Sequence, residues 1–296
     1  MKHLKIFLAL AFLLTLFMSC GHAAKVSGHL STSKIINLSS MVQVISQYEI
    51  EHCIGDTCST FRMSSTSTGS VVKRSKTGSY VLTTGHTCDP KFGVPFGLKN
   101  VYVKQTTVIV DSEKKAHKSI TVEYDSKLDM CVLHTETLRA PVVKINYDKA
   151  PTQGDIAYNY AASYGVFGKR TIPILEGRFS GWLWGYALYT IPAIGGSSGS
   201  PIFDSSGKLI GMIHSVHSRF HHLSFSPTHE QMIGFIKNNC PTVAPMGIRT
   251  EWTDIPGRKH KKIYLEPDEV KQYIKKVKKC KCIGHECLTK ASCNIK

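Results

Sequence analysis

Short runs of β-branched and aromatic residues, separated by clusters of Gly, Asp, Lys and Ser, dominate the chain between residues 41 and 213. The clearest runs are Met41–Ile45, Tyr80–Thr84, Val101–Val110, Ser119–Val122 and Leu209–Ile213. Runs of this length between turn residues predict β-strands in an antiparallel barrel or sandwich. No internal repeat is evident, so the pattern alone predicts an all-β protein without deciding between these two architectures.

Helical periodicity appears only towards the C-terminus. Ser226 as N-cap, Pro227 at the first helical position and apolar residues at 232, 233 and 236 predict a short helix ending near Asn239. A Lys-rich helix is predicted from Pro267 to about Lys279, because apolar residues recur there at i, i+3, i+4 and i+7. Pro and Gly residues between 241 and 262 predict a linker.

The N-terminus has the order of a secretory signal peptide. Lys2 and Lys5 precede a predominantly apolar run from Ile6 to Met18, and small residues follow up to residue 24. The run of 13 residues is short for a membrane-spanning helix. A lipoprotein signal, with Cys20 acylated and retained, is the alternative. Either signal predicts an exported protein, secreted or periplasmic, with residues 1–24 as the signal segment.

The basic charge of the chain is uneven. The formal net charge is +16, and residues 247–296 contain 13 Lys or Arg against 6 Asp or Glu, a net of +7. This tail is either a solvated face or a weak contact for anionic polymers or membrane surfaces. No feature of the sequence predicts specific binding of nucleic acid.

The ten cysteines are consistent with disulfides, because exported proteins reach oxidising compartments. Without Cys20 nine remain, so at least one is free or bonded between chains. Cys53 and Cys58 bracket a turn and are placed to close a hairpin. The tail group Cys280, Cys282, His285 and Cys287 resembles zinc ligands, but Cys-x-Cys differs from standard zinc spacing, which favours disulfides and no metal. His217, His221 and His222 are either a metal cluster or solvated loop residues.

A Gly- and Ser-rich loop carries the strongest candidate for chemistry. Gly195–Phe203 reads Gly-Gly-Ser-Ser-Gly-Ser-Pro-Ile-Phe. Acyl transfer by serine needs an exposed hydroxyl on a tight turn with backbone N–H groups aimed at the oxyanion. Gly196 and Gly199 permit such a turn around Ser198, and an apolar strand follows to hold it.

Two upstream segments supply candidate partners for this serine. His86 follows the apolar run Tyr80–Thr84, and Asp129 precedes the apolar run 130–133. The order is His, Asp, Ser at separations of 43 and 69 residues. That order is typical of the chymotrypsin arrangement and differs from those of subtilisins and α/β-hydrolases.

The three motifs resemble the trypsin-like serine peptidase superfamily over about residues 35–240. Thr83-Thr84-Gly85-His86, Leu128–Leu133 and Gly196–Pro201 are similar to the family's His, Asp and Ser signatures. Ser200 and Phe203 are nearest to bacterial glutamyl-endopeptidase-like members, while Gly69–Val72 and Gly154-Asp155 are similar to HtrA-like members. The resemblance implies a protease domain at 25–240 with two antiparallel six-stranded β-barrels divided near 145, a short C-terminal helix, and a basic, partly helical, Cys-containing extension at 241–296.

The resemblance also implies roles for individual residues. Ser198 is expected to attack the peptide carbonyl, His86 to act as base and then acid, and Asp129 to orient the imidazole. The N–H groups of Gly196 and Ser198 are expected to form the oxyanion hole. Protein or peptide substrates are implied, and the mechanism needs no cofactor or metal.

The chain departs from the family pattern in the serine loop and its pocket. Ser197 replaces an acidic residue or Asn, which predicts no activation through a new α-amino group and an oxyanion loop that is less firmly held. Alignment puts the specificity pocket at Pro192, Ala193, His214 and Ser215; none is acidic, which disfavours Lys or Arg at the cleavage site. His214 is a candidate for recognising an acidic residue. The alternative function is a catalytically silent homologue, with the barrels as a binding module and the basic tail as its attachment site.

Overall fold

The computed structural model describes residues 36–94 and 101–241. The predicted signal segment, the linker from residue 242, the Lys-rich helix and the tail cysteines lie outside the described residues. Within the described residues, no helix is both long and apolar enough to cross a bilayer.

Seven antiparallel strands form the first sheet, in the order β5-β4-β1-β2-β3-β7-β6. Their bounds are Met41–Ile54 (β1), Thr57–Arg74 (β2), Ser79–Thr83 (β3), Val101–Val110 (β4), Ala116–Lys118 (β5), Ile120–Asp125 (β6) and Met130–Thr135 (β7). A one-turn helix, α1, spans Gly85–Cys88 after β3, and a 3-10 turn follows at Pro90–Gly93.

The first sheet curls into a barrel because its two edge strands are consecutive in sequence. Strands β5 and β6 lie at opposite edges of the sheet, yet only Ser119 separates them. Since one residue cannot span a flat seven-stranded sheet, its edges must meet. The two short strands are therefore halves of one bent strand, and the predicted six-stranded barrel is confirmed in this form.

The second sheet repeats this construction, in the order β12-β11-β8-β9-β10-β14-β13. Its strands are Ile156–Tyr160 (β8), Ile174–Leu183 (β9), Tyr186–Tyr189 (β10), Pro201–Phe203 (β11), Leu209–Met212 (β12), Ser215–His217 (β13) and Phe220–Ser226 (β14). Only Ile213 and His214 separate the edge strands β12 and β13, so this sheet also curls upon itself. The predicted division near residue 145 falls in the connection between β7 and β8, and the domain limits stay a prediction.

One apolar cluster joins the two sheets and the C-terminal helix. Its fully buried members include Tyr80 and Leu82 on β3, Phe203 on β11 and Met232 on the helix. The central strands β3 and β7 are buried along their whole length, which explains their continuous apolar sequences. Burial of such side chains stabilises the fold by about 1.5–3 kcal/mol each.

The C-terminal helix, α2, spans His229–Asn239. The predicted cap was wrong: Ser226 is the last residue of β14, and Thr228 is the N-cap. The Thr228 hydroxyl accepts from the Gln231 N–H, and the Gln231 side chain accepts from the Thr228 N–H. This capping box satisfies donors that Ser226 cannot reach, because its hydroxyl is already committed to the Pro227 carbonyl and the Met212 N–H.

Two disulfides lie within the described residues. Cys53–Cys58 closes the tip of the β1–β2 hairpin, as the sequence suggested, and Cys88–Cys131 joins α1 to β7. Cys240 is buried with a free thiol, and burial raises the pKa of this thiol to about 12. Its high pKa makes Cys240 a poor nucleophile at neutral pH.

Candidate active site

His86 lies in α1, immediately after the buried strand β3. Gly85 allows the backbone to approach the loop that carries Asp129. A Cβ at Gly85 would lie 2.8 Å from the Asp125 carbonyl oxygen and 3.1 Å from the Asp129 Cα. A larger residue would separate the two segments, so Gly85 sets the distance between His86 and Asp129.

Asp129 contacts both the backbone and the ring of His86. Its Oδ1 accepts from the His86 backbone N–H at 2.7 Å, and the His86 Nδ1 lies 2.8 Å from Oδ2 and 3.1 Å from Oδ1. Asp129 has φ of +51°, a left-handed conformation that Asp tolerates better than most residues. Because Nδ1 faces a carboxylate, the geometry assigns the proton to Nδ1 and leaves a lone pair on Nε2.

The carboxylate of Asp129 is held in its charged form. Burial alone would raise its pKa, but contacts from His214 and from His86 outweigh burial, so the pKa of Asp129 lies well below its ordinary value. The His214 Nδ1 is 3.6 Å from Oδ2, the oxygen that also binds the His86 ring. A carboxylate that is charged at neutral pH is suited to stabilising an imidazolium at His86.

A disulfide fixes the segments that bear His86 and Asp129. Cys88 and Cys131 lie two residues after His86 and Asp129 respectively, and both are buried. The bond therefore joins α1 to the start of β7 beside the His–Asp contact. This pairing was not predicted, because the sequence leaves the connectivity of these cysteines open.

The Ser198 loop turns sharply between two glycines. Gly196 has φ of +92° and Gly199 has φ of +80°, a region that favours glycine strongly. Ser198 is half-buried, whereas its neighbours Ser197 and Ser200 are buried. Ser198 is therefore the serine of this loop whose position leaves it accessible to a substrate.

Ser197 holds the loop in place of the acidic residue or Asn that the resemblance led us to expect. Its hydroxyl lies 2.9 Å from the Ser163 hydroxyl and accepts from the Ile194 N–H at 3.2 Å. The Ser197 N–H also donates to the Ile194 carbonyl at 2.9 Å. These contacts are internal to the second barrel, and they restrain the loop without any charged group.

Thr68, on β2, attaches the serine loop to the first barrel. Its hydroxyl donates to the Gly196 carbonyl at 2.7 Å, and its N–H donates to the Ser198 carbonyl at 2.7 Å. The Thr68 carbonyl accepts from the hydroxyl of Thr83, three residues before His86. A second link runs from the Gly199 N–H to the Ile213 carbonyl, beside His214. The loop is thus tied to both segments that surround the His–Asp pair.

The Ser198 hydroxyl makes no hydrogen bond to any described residue. The His86 Nε2 instead lies 3.3 Å from the Thr84 hydroxyl, which can donate to its lone pair. The backbone N–H groups of Gly196 and Ser198 likewise donate to no other described residue. Acyl transfer would use the Ser198 hydroxyl, the His86 Nε2 and these two N–H groups. Of the four, only Nε2 has a hydrogen-bond partner in the described part of the chain.

Comparison with known proteins agrees with this architecture. Residues 67–212 match the model of the trypsin-like peptidase domain. These residues form a trypsin-like peptidase domain. The match contains His86, Asp129 and Ser198, and it ends at Met212, two residues before His214.

Two solved structures are similar in fold to this chain. They are the HtrA-type protease AlgW with a decapeptide (14% identity, TM-score 0.52) and a serine-to-alanine variant of that protease with a decapeptide (14% identity, TM-score 0.54). Each similarity covers 69% of this chain and 65% of the other chain. At this identity the similarity shows the fold. No curated protein matches the chain by sequence.

The residues predicted for the specificity pocket flank β14 of the peptidase domain. The Ala193 N–H donates to the His221 carbonyl at 3.2 Å, while Ser215 pairs with Phe225 on the other side of β14. Pro192 is half-buried, Ala193 is buried and Ser215 is exposed. His214 directs its Nδ1 to Asp129, and its predicted role in selecting an acidic residue stays a prediction.

Several residues near the site carried no sequence signal. Phe92 is 61% exposed and its ring lies 4.7 Å from that of His86, where it forms one wall of the site. Thr68 appears in the sequence as an ordinary strand residue. Trp182 and Trp184 are 58% and 77% exposed on the β9–β10 hairpin.

The described residues place one group of candidate metal ligands together, remote from the serine loop in sequence. Glu51, Cys53 and Cys58 offer atoms within 4.8 Å of one another. Both sulfurs are consumed by the Cys53–Cys58 disulfide, so this group does not provide thiolate ligands. The histidines at 217, 221 and 222 do not form such a group with one another.

Proposed function

We propose that this protein is an exported serine endopeptidase whose nucleophile is Ser198. The observation that carries the proposal is the His86–Asp129 pair, with Nδ1 2.8 Å from Oδ2 and Nε2 available as an acceptor. An imidazole oriented in this way can act as a general base that accepts the proton of a serine hydroxyl at Nε2. Thr68 attaches the loop of Ser198 to the strand end that leads to His86.

The proposed reaction begins when Ser198 Oγ attacks the carbonyl carbon of a peptide bond. His86 Nε2 takes the hydroxyl proton, and the negative charge on Asp129 stabilises the resulting imidazolium. The N–H groups of Gly196 and Ser198 donate to the carbonyl oxygen as it becomes negatively charged, an interaction whose loss costs a factor of ~10² to 10³ in rate. His86 then protonates the leaving amine, and water hydrolyses the acyl-enzyme by the same steps.

Formation of the Ser198–His86 hydrogen bond is part of this proposal. Hydrogen bonds between catalytic groups are often long or absent without substrate and tighten in the complex. We propose that the Thr84 hydroxyl donates to His86 Nε2 until the Ser198 hydroxyl takes its place as the donor. The substrates are proteins or peptides, and because Pro192, Ala193 and Ser215 carry no charge, we expect no preference for Lys or Arg.

Labelling with a fluorophosphonate tests the proposal directly. We expect the mature protein to be labelled at Ser198, and labelling to be lost in Ser198→Ala and to fall by at least ~10² in His86→Ala. Ser205→Ala, which alters an exposed turn serine, is the matched control and should label like the wild type. A folded wild type that resists labelling would refute the proposal and favour the silent binding module. Cleavage of a peptide library would then define substrate preference.

A further inference from the structure

The hairpin formed by β1 and β2 leaves one side of β2 uncovered. On one side, β2 pairs with β1 along the whole of Met41–Ile54. On its other side, β3 covers only Ser70–Arg74. Among the described residues, no strand pairs with this outer side of β2 between residues 57 and 67, and most side chains of that stretch are exposed. We call residues 57–67 the β2 edge.

The backbone of the β2 edge directs a regular row of polar groups outwards. The Thr68 N–H donates to the Ser198 carbonyl and the Thr68 carbonyl accepts from Thr83, so the Thr68 backbone points away from β1. Neighbouring residues of a strand direct these groups to opposite sides, and the β1–β2 pairing has no bulge. Every second residue before Thr68 therefore also points outwards. These residues are Thr60, Arg62, Ser64 and Thr66. Their N–H and C=O groups form a row about 20 Å long.

The β2 edge lacks the features that keep open edges apart. Natural edge strands are usually blocked by Pro, Lys, a bulge or a covering segment. Residues 57–67 contain neither Pro nor Lys, and their single charged side chain, Arg62, is paired with Glu49 at 3.1 Å. Met63, between two outward-pointing residues, is 46% exposed. An edge with these properties is a template for another strand.

We propose that the β2 edge pairs with the same edge of a second copy of this chain, antiparallel about a twofold axis at Met63. Such an isologous contact uses the same surface on both copies. With the axis at Met63, Arg62 lies opposite Ser64 of the second copy, and the two exposed Met63 side chains meet in a non-hydrogen-bonded pair, where side chains are closest. An axis at Arg62 would bring two like charges together, which is destabilising. An axis at Ser64 would put each Met63 opposite Ser65, without an apolar contact.

This register joins the hairpins of the two copies into one sheet. Each opposing pair of outward residues exchanges two hydrogen bonds, about eight in all. A contact made by one pair of strands belongs with the small, transient interfaces, so the dimer dissociates on dilution. The same register puts Cys58 of the second copy opposite Thr68, the residue that holds the Ser198 loop. The disulfide-closed tip of each hairpin thus lies beside the serine loop of the other copy.

Sedimentation equilibrium of the mature chain tests the proposal, in a Ser198→Ala background so that self-cleavage cannot change the mass. We expect a monomer–dimer equilibrium that shifts to monomer on dilution. Met63→Lys puts two like charges at the axis and should raise the dimer dissociation constant by at least ~10-fold. Ser64→Pro removes only an outward N–H, so it should weaken the dimer similarly while β1 and β2 stay paired. Ile174→Lys, on β9 and 42% exposed, is the matched control and should leave the dimer unchanged.

Single cysteines test the position of the axis. Met63→Cys should form an intermolecular disulfide under mild oxidation, because the two Cα atoms lie about 4.5 Å apart in such a pair. Arg62→Cys and Ser64→Cys should not, because each is about 7–8 Å from its own counterpart. Crosslinking through either of these instead would overturn the proposed axis.

Two results of the sedimentation experiment would overturn the inference. A wild type that is monomeric at every concentration would do so and would leave the β2 edge to an extended peptide. A dimer that both Met63→Lys and Ser64→Pro leave intact would place the contact elsewhere. Cooperative urea unfolding of each variant distinguishes a lost dimer from a lost fold, and the cysteine variants report on the contact without either substitution. Neither sedimentation nor crosslinking requires turnover, so the result is independent of the proposed protease activity.

Discussion

Removal of the Cys88–Cys131 disulfide should cost far more stability than removal of Cys53–Cys58. The first bond closes a loop of 43 residues and the second a loop of 5. Loop-closure entropy converts these separations to about 4 kcal/mol and about 2 kcal/mol at 25 °C. Because Cys88 and Cys131 are also buried in the apolar core, their replacement by Ala adds a packing loss to the larger figure.

The assay compares two double variants under non-reducing conditions. Cys88→Ala with Cys131→Ala, and Cys53→Ala with Cys58→Ala as the matched control, are unfolded in urea and followed by tryptophan fluorescence and circular dichroism. We expect a difference between the two pairs of about 2 kcal/mol or more in the free energy of unfolding. The Cys88→Ala/Cys131→Ala variant should also be labelled more slowly by the fluorophosphonate, because it lacks the bond that joins α1 to β7 beside the His86–Asp129 contact.

Equal losses of stability in the two double variants would contradict the dependence of the stabilisation on loop length. That result would mean that the 43-residue loop is already restrained in the unfolded chain, so that the disulfide removes little entropy. A large loss of stability with unchanged labelling would show that the Cys88–Cys131 bond has only one of its two expected roles. The bond would then stabilise the barrel without fixing the His–Asp geometry.

Two further predictions concern the same site. Thr68→Val keeps the shape of the side chain but removes the donor to the Gly196 carbonyl. We expect the free energy of unfolding in urea to fall by about 1–3 kcal/mol and Ser198 to be labelled more slowly. An unchanged free energy of unfolding together with an unchanged labelling rate would contradict the role of Thr68. Asp129→Asn should remove part of the pH dependence of stability. The lowered pKa of Asp129 stabilises the wild type above the ordinary Asp value of about 3.9, and this contribution is lost as pH falls towards the folded pKa. The wild type should therefore exceed the variant by more at pH 7 than at pH 3, and a constant difference would contradict the assignment.

The fold and the central pair of the site could be predicted from local sequence. His86 and Asp129 adjoin β3 and β7, whose apolar runs are continuous because both faces of these strands are buried. A side chain at the end of such a strand has a defined position, so its neighbours can be anticipated. Strand Val101–Val110 was also predicted with its observed bounds, because its β-branched and aromatic residues form one run between turn residues.

Features that depend on contacts distant in sequence could not be predicted. Thr68 contacts Gly196 across 128 residues, and nothing in its own segment marks it. The Cys88–Cys131 pairing requires the position of α1 relative to β7, which spacing does not provide. The cap of α2 was misplaced because Ser226-Pro227 and Thr228 both carry start signals, and only the end of β14 decides between them.

The site is divided between the two barrels in the order in which the chain is synthesised. His86 and Asp129 belong to the first barrel, whereas Ser198 and His214 come from the second. Thr68, on β2, is synthesised 128 residues before Gly196, so it can bind the serine loop only after that loop has been made. A ribosome-bound chain that has completed only its first barrel would therefore carry a base without a nucleophile. The proposed protease would remain harmless to the cell that makes it until nearly the whole of both barrels had emerged and docked.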